Sequence, residues 1–346
     1  MKPGYKTLKT CGIVLLVTVI VLVFGSIPVS AIAVTDDAGM TITLNATPSR
    51  IVSLSPSNTE ILAALGLTDR IMGVTDVCDY PPEVKNITRI GGYSSISIEK
   101  VAATRPDLVV ASDLTPKETV GRFRALGLPV VVVAPRNIDH MIRDIRMVGT
   151  LTGTETRADQ LAANLSDRIA AVLPCPPTTH HPTVAHVVWH EPIYVSGNDT
   201  LQNDVIIHSG GENVFAERSG WSTVSLEEFL MKNPDIILVN GGGGMDSSEK
   251  DVIHEAFMTS PQYASLSAVK NNHVYSVNAD IISRPAPRIV DATEQVARLI
   301  HPECFTQATT PLGATPTTPV KSPGFCAGSA VLLISLIILL RRGRNN

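Results

Sequence analysis

Residues 93–110 run YSSISIEKVAATRPDLVV, and residues 221–238 run WSTVSLEEFLMKNPDIIL. The two align without a gap: an aromatic, Ser-x-Glu, a short helical run, Pro-Asp, and an apolar strand. Tyr93 pairs with Trp221, Glu99 with Glu227 and Pro106 with Pro234, each 128 residues apart. A supersecondary unit repeated at that separation predicts two similar lobes. Ser97 and Ser225 are placed to cap a helix, with each glutamate in the first turn, where the helix dipole favours a carboxylate. The residue before proline disfavours helix, so the helices should stop near Arg105 and Asn233. Leu108–Ala111 and Ile236–Val239 then read as buried parallel strands. One such glutamate is a helix-terminus stabiliser. Two at the same register also suit equivalent cations on a two-fold symmetric partner.

The 346 residues hold two ordinary α/β domains plus tails. A net charge of -4 gives no support for nucleic-acid binding, and 4% aromatics leave a mostly aliphatic interior. Lys2, Lys6 and Lys9 precede the apolar run Gly12–Phe24, and small residues follow at Ser30, Ala31 and Ala33. That pattern is a signal peptide over residues 1–33, cleaved after Ala31 or Ala33. At the other end, residues 306–322 are a Thr/Pro-rich stalk. Pro323-Gly324-Phe325 leads into the apolar run Ala327–Leu340 and the basic Arg341, Arg342 and Arg344. Such a run rises about 21 Å as a helix, short of the hydrocarbon core, and its basic end should stay cytoplasmic. Of five cysteines, Cys78, Cys175 and Cys304 lie between the end segments. Their spacing matches no metal motif, and a Cys175–Cys304 disulfide is open.

In order, residues 34–47 should form a hairpin, followed by the N-terminal α/β lobe to residue 136. Within it, IVSLSPSNTEILAALG (51–66) is a strand, a loop carrying Ser57 and Asn58, and a helix ended by Gly66. Loops at strand C-terminal ends are where open α/β sheets bind ligands. Residues 137–173 are a helical connector, interrupted at Thr152-Gly153-Thr154. Its long amphipathic helix, with Ala158, Leu161, Leu165, Ile169 and Val172 on one face, allows little hinge motion. The C-terminal lobe spans residues 174–305. Its Gly241–Gly244 run lacks the Lys-Ser/Thr of a phosphate loop.

These motifs resemble the substrate-binding proteins of cobalamin and iron-siderophore ABC importers. RIVSLSPSNTEILAALG, DYPPEV, SIEKVAATRPDLVV, SGNDTLQNDVIIHSGGENVF and VSLEEFLMKNPDIIL carry the resemblance over about residues 34–302. It implies two Rossmann-like α/β lobes joined by a single long rigid helix (the class III periplasmic-binding-protein fold), the ligand between them, and no enzymatic activity or resident cofactor. The implied partners are a permease dimer and its ATPase subunits, met by Glu99 and Glu227. Within the family the cobalamin binders are most similar, which makes a corrinoid the expected ligand, with a ferric siderophore or haem as the alternative. On that resemblance Tyr80, Tyr93, Trp221, Asp280 and Arg284 join Ser57 and Asn58 at the ligand cleft. Val77 and Ser112 stand where the family pattern has aromatics. The C-terminal tail resembles the PGF-type sorting signal of archaeal surface proteins, which implies a monomer held at the outer face of the membrane.

From the residues alone, Tyr93 and Trp221 suit a flat, bulky ligand. Trp189 and His190 end a strand at the same edge, and His190 has three readings: structural, ligand-contacting or metal-ligating. Arg284 and Arg288 are either anion-binding or a solvated helix start. A metallohydrolase using His190 with Glu191 or Asp280 is a remote alternative, since no nucleophile-base pair or compact ligand spacing accompanies them.

Overall fold

The computed structural model describes residues 31–174, 181–242 and 251–305, which belong to one compact unit. It opens with the antiparallel hairpin β1 (Ile32–Thr35) and β2 (Thr41–Leu44), turned at Gly39, whose φ of 76° is left-handed. A four-stranded sheet follows, built from β3 (Ile51–Ser53), α1 (Pro56–Ala64), β4 (Ile71–Val74), α2 (Ile98–Ala103), β5 (Leu108–Ala111), α3 (Lys117–Ala125) and β6 (Val130–Val132). Its order is β4-β3-β5-β6, all parallel. The β5 run LVVA is buried throughout, as a strand covered on both faces must be.

Two helices make the connection. These are α4 (Ile138–Thr152), capped by the Asn137 side chain, and α5 (Glu155–Ala170). The break falls at Gly153, in the left-handed conformation that ends helices. The second helix is the amphipathic one expected from its periodicity. It shares the joint with α4, against which it packs. Gly149 permits that contact, because a Cβ there would sit 2.3 Å from the Ala158 Cβ.

The second sheet contains β7 (Thr183–His190), β8 (Ile193–Ser196), α6 (Leu201–His208), β9 (Glu212–Asn213), β10 (Trp221–Val224), α7 (Leu226–Lys232), β11 (Ile236–Gly241), α8 (Val252–Thr259), α9 (Ser267–Lys270), β12 (Val274–Asn278), α10 (Ala279–Ser283), α11 (Ile289–Ile300) and α12 (Pro302–Phe305). Strands β7, β11 and β12 are parallel, β8 and β10 extend the sheet antiparallel, and β9 pairs with β7. The architecture is the expected pair of α/β lobes with a helical joint. The antiparallel extension, however, has no counterpart in the first lobe. Trp221 therefore lies on a strand whereas Tyr93 lies in a bend.

The Pro-Asp repeat has a shared structural role. Asp107 accepts hydrogen bonds from the Ser49 and Arg50 amides at 2.8 Å, and Asp235 accepts from the Thr183 amide at 2.9 Å. Each carboxylate thus ties the start of its own strand to the start of the lobe's first strand. Before each proline, Arg105 (φ 48°) and Asn233 (φ 41°) take matching left-handed conformations that stop the helix. One apolar core runs through both lobes. Ile61 and Leu65 of α1, Ile145 and Val148 of α4, Leu165 of α5, Ile206 of α6 and Val296 of α11 all belong to it.

Cys78 is buried as a free thiol under the Thr59 and Thr75 hydroxyls. Cys304 is disulfide-bonded. Cys175, the signal-peptide run, the stalk and the PGF-type tail lie outside the described residues. No helix among the described residues is long and apolar enough to cross a membrane.

One joint contact titrates near neutrality. Asp144 of α4 is inaccessible to solvent, its Oδ2 has no hydrogen-bond partner among the described residues, and Arg143 approaches its Oδ1 at 3.2 Å. Burial, and then the charge of Asp37 on the β1–β2 turn, raise its carboxyl from 3.8 to about 7. The folded carboxyl keeps its proton across a window in which the unfolded one has released it. Its stabilising contribution is therefore present at low pH and is lost as pH rises toward 7. Asp144→Asn should raise stability by on the order of 1–3 kcal/mol at pH 8 and by less at pH 5, read from thermal melts. Equal melting temperatures for mutant and wild type at pH 8 would contradict this.

Candidate functional site

Residues that follow the C-terminal ends of strands in both sheets meet in one ion-pair cluster. Arg284, just past β12 and α10, reaches the Asp79 carboxylate at 2.8 Å and Glu60 at 3.2 Å. Those partners lie on the loop after β4 and on α1 after β3. Arg288, at the start of α11, donates through Nε to Glu60 at 2.8 Å, and its guanidinium lies 3.8 Å from the centre of the Tyr80 ring. Asp280 completes the set, 2.8 Å from Arg284. Glu60 is 2% exposed, and it sits in a helix whose neighbours Ile61 and Leu62 are buried. A carboxylate so enclosed must be paired, and two guanidinium groups from the other lobe supply the pairing. The cavity beside it, about 230 Å³ and lined by Glu60, Ala63, Ala64, Tyr80, Pro81, Pro287 and Arg288, is smaller than usual ligand pockets.

The expected ligand residues divide into two groups. Asn58 is buried, and its amide donates to the Ala111 carbonyl at 2.9 Å, fixing α1 on β5. Ser57, half-buried, is in the first turn of that helix. Tyr80, Asp280 and Arg284 belong to the ion-pair seam. The sequence reading placed Arg284 on the ligand. In the structure its guanidinium is held by three carboxylates of the protein itself.

The second group stays open. Tyr93 is half-buried, and burial, with the Asp113 charge, raises its phenol above the usual range. Trp221 is 51% exposed and Trp189 39%. The Trp189 indole donates to the Glu191 carbonyl at 2.9 Å, and its ring lies 5.0 Å from that of His190. The His190 Nδ1 is buried without a hydrogen-bond partner among the described residues. Large, partly exposed aromatics suit a flat, bulky guest. No Tyr93–Trp221 ring contact occurs among the described residues.

The two repeated glutamates are solvent-exposed in the first turns of α2 and α7. Ser97 caps α2 by accepting from the Lys100 amide, and Ser225 caps α7 by accepting from the Glu228 amide. Glu99 also accepts from the Ser97 hydroxyl at 3.0 Å, and it and its own backbone lower the carboxyl below the usual range. Glu228, next to Glu227, is paired with Arg218, whereas Glu227 makes no ion pair among the described residues.

Residues 51–281 match the model of the periplasmic binding protein family. The chain belongs to this family. It is 30% identical over 282 residues, 79% of this chain and 87% of the relative, to the uncharacterized ABC transporter substrate-binding lipoprotein YvrC of Bacillus subtilis. Among solved structures, the periplasmic vitamin B12 binding protein BtuF of Vibrio cholerae superposes with TM-score 0.65 at 27% identity. That match covers 75% of this chain and 99% of the other. The periplasmic heme-binding protein RhuT of Roseiflexus superposes with TM-score 0.66 at 26% identity, over 75% of this chain and the whole of the other. The protein is thus a non-enzymatic solute-binding component of an ABC importer.

The sequence reading left out Glu60 and Asp79 as an inter-lobe seam. The sequence marks Glu60 as a lone acid in the apolar stretch EILAALG, but not its partners 224 and 228 residues away. Glu60→Ala leaves both guanidinium groups without their buried counter-ion. It should cost about 3 kcal/mol, seen as a lower denaturation midpoint with secondary structure intact in the native baseline. A midpoint equal to wild type would show that the seam carries no stability.

Proposed function

We propose that the protein captures cobalamin or a related corrinoid between its lobes and delivers it to a two-fold symmetric permease driven by ATPase subunits. The observation that carries the ligand class is electrostatic. The two arginines of the seam are paired with Glu60, Asp79 and Asp280, so the seam offers no unpaired guanidinium, and aromatic faces and neutral polar groups remain beside it. That lining suits an uncharged, amide-fringed macrocycle better than a polyanionic ferric chelate, whose carboxylates need charge-assisted partners. Tyr93, Trp189 and Trp221 supply the flat contacts. Haem is the second reading, and one observation favours it: His190, a residue type that ligates haem iron, ends β7 beside Trp189, and its Nδ1 has no hydrogen-bond partner among the described residues.

Docking would use Glu99 and Glu227, the two exposed carboxylates at equivalent helix starts, against paired cations on the permease. The protein acts as a monomer exported by its signal peptide and held at the outer face of the membrane by its C-terminal segment. Its relative YvrC is a lipoprotein, which supports surface attachment as a mode for this kind of chain.

Equilibrium titration with cyanocobalamin, cobinamide, haemin and a ferric siderophore separates the ligand readings. Tight corrinoid binding is expected. Haemin binding that is lost in His190→Ala, with no corrinoid binding, would turn the assignment to haem. For docking, the doubly reversed variant Glu99→Arg, Glu227→Arg should lose uptake in proteoliposomes while its ligand affinity stays within about twofold of wild type. Undiminished uptake would rule the docking site out.

A further inference from the structure

A hydrogen-bonded row crosses the second sheet from the buried middle of β7 to the C-terminal end of β11. Ser196 Oγ lies 3.1 Å from His186 Nδ1, and His186 Nε2 lies 3.0 Å from Asn240 Oδ1. The three residues stand on adjacent strands β8, β7 and β11, and Asn240 is one residue from the end of β11. Ser196 and His186 are both inaccessible to solvent, while Asn240 is half-buried. Burial lowers the His186 imidazole to about 4, so it is neutral in any ordinary medium. A neutral imidazole has one N–H and one lone pair, and its tautomer decides which way the amide of Asn240 faces.

The buried hydroxyl settles the tautomer. Ser196 Oγ has no hydrogen-bond partner besides His186 among the described residues. If Nδ1 carried the proton, the serine hydrogen would be stranded in the core, which buried polar groups rarely tolerate. With the proton on Nε2, every group is satisfied. Ser196 donates to Nδ1, Nε2–H donates to the Asn240 oxygen, and the Asn240 NH2 is left over. That NH2 bonds to nothing among the described residues. An asparagine inside a strand is also a poor choice for the strand itself.

We propose that Asn240 contacts the captured ligand, presenting its NH2 as a fixed, uncharged donor to a carboxamide oxygen on the ligand's rim. His186 and Ser196 are positioning residues that prevent the amide from turning. The assignment rests on the corrinoid reading above. It adds a specificity element, because a donor locked in one orientation rejects a ligand that offers a donor at the same point.

Two measurements on the full chain test it. First, nitrogen NMR of the ligand-free protein with labelled histidine, assigned with His186→Gln, should show Nε2 protonated and Nδ1 bare. The opposite tautomer would turn the amide round and overturn the proposal. Second, cyanocobalamin is titrated into the variants. Asn240→Asp keeps an acceptor for His186 but removes the donor, and should weaken binding about tenfold or more, with Asn240→Ala as the control should the new carboxylate impair folding. His186→Gln, whose amide can likewise accept from Ser196 and donate to Asn240, should keep most of the affinity that His186→Phe loses at comparable melting temperature. Wild type and both Asn240 variants binding within twofold of one another would overturn the assignment while leaving the transport reading intact. Wild type that fails to bind cyanocobalamin would sink the corrinoid reading and the assignment together.

Discussion

A carboxylate that cannot reach water dictates how the two lobes stand. Glu60 lies in the middle of a helix run, Asn58–Leu62, that is buried throughout, so its carboxylate is shut off from solvent. Its charge is tolerable only while Arg284 and Arg288 of the other lobe stay within hydrogen-bond range. Opening the lobes at this seam would expose or strand that charge. The ion pairs need not add net stability over an apolar contact of the same shape. What they impose is geometry, because a guanidinium fork meets a carboxylate in few orientations.

The same rigidity is built a second way, from the connection. The apolar core that begins on the inner face of the first sheet continues through α4 and α5 and into α6 and α11 of the second lobe. Arg157 of α5 donates to the Ala64 carbonyl at 2.7 Å, closing the end of α1, and Arg168 of the same helix holds Glu294 of α11 at 2.8 Å. One helix therefore grips an element of each lobe. A hinge made of flexible strands closes by rotating a few dihedrals. Here a comparable motion would have to slide packed side chains, and close-packed interiors resist that.

Much of this was legible in the sequence because it depends on local rules. The Pro-Asp repeat marked helix ends and strand starts in both lobes, and Arg105 and Asn233 adopted the same backbone conformation at matching positions, while the tether made by Asp107 and Asp235 appeared only in the structure. The serine caps before Glu99 and Glu227 followed from spacing alone. What stayed hidden was set by partners far along the chain. Arg284 sits 224 residues from Glu60, and nothing near either residue names the other. The antiparallel strands β8 and β10 were missed for a related reason. Their alternation is weak, and it is pairing that makes the strands: β8 lies along β7, and Trp221–Val224 lies along β8.

The seam has a consequence for recognition. Two arginines near a cleft ordinarily raise the local potential and favour anionic guests. With Glu60, Asp79 and Asp280 beside them, the group carries two positive and three negative charges, and its field at the cleft cannot attract an anion. Selectivity must then come from shape, from aromatic faces and from uncharged donors held in place. Such groups discriminate by what they leave unpaired. An amide fixed by a buried imidazole cannot turn to accommodate the wrong partner, so a mismatched ligand loses a hydrogen bond and leaves the site's own donor unsatisfied. A lobe pair held at a set angle strengthens that penalty, because the walls cannot shift to hide the mismatch.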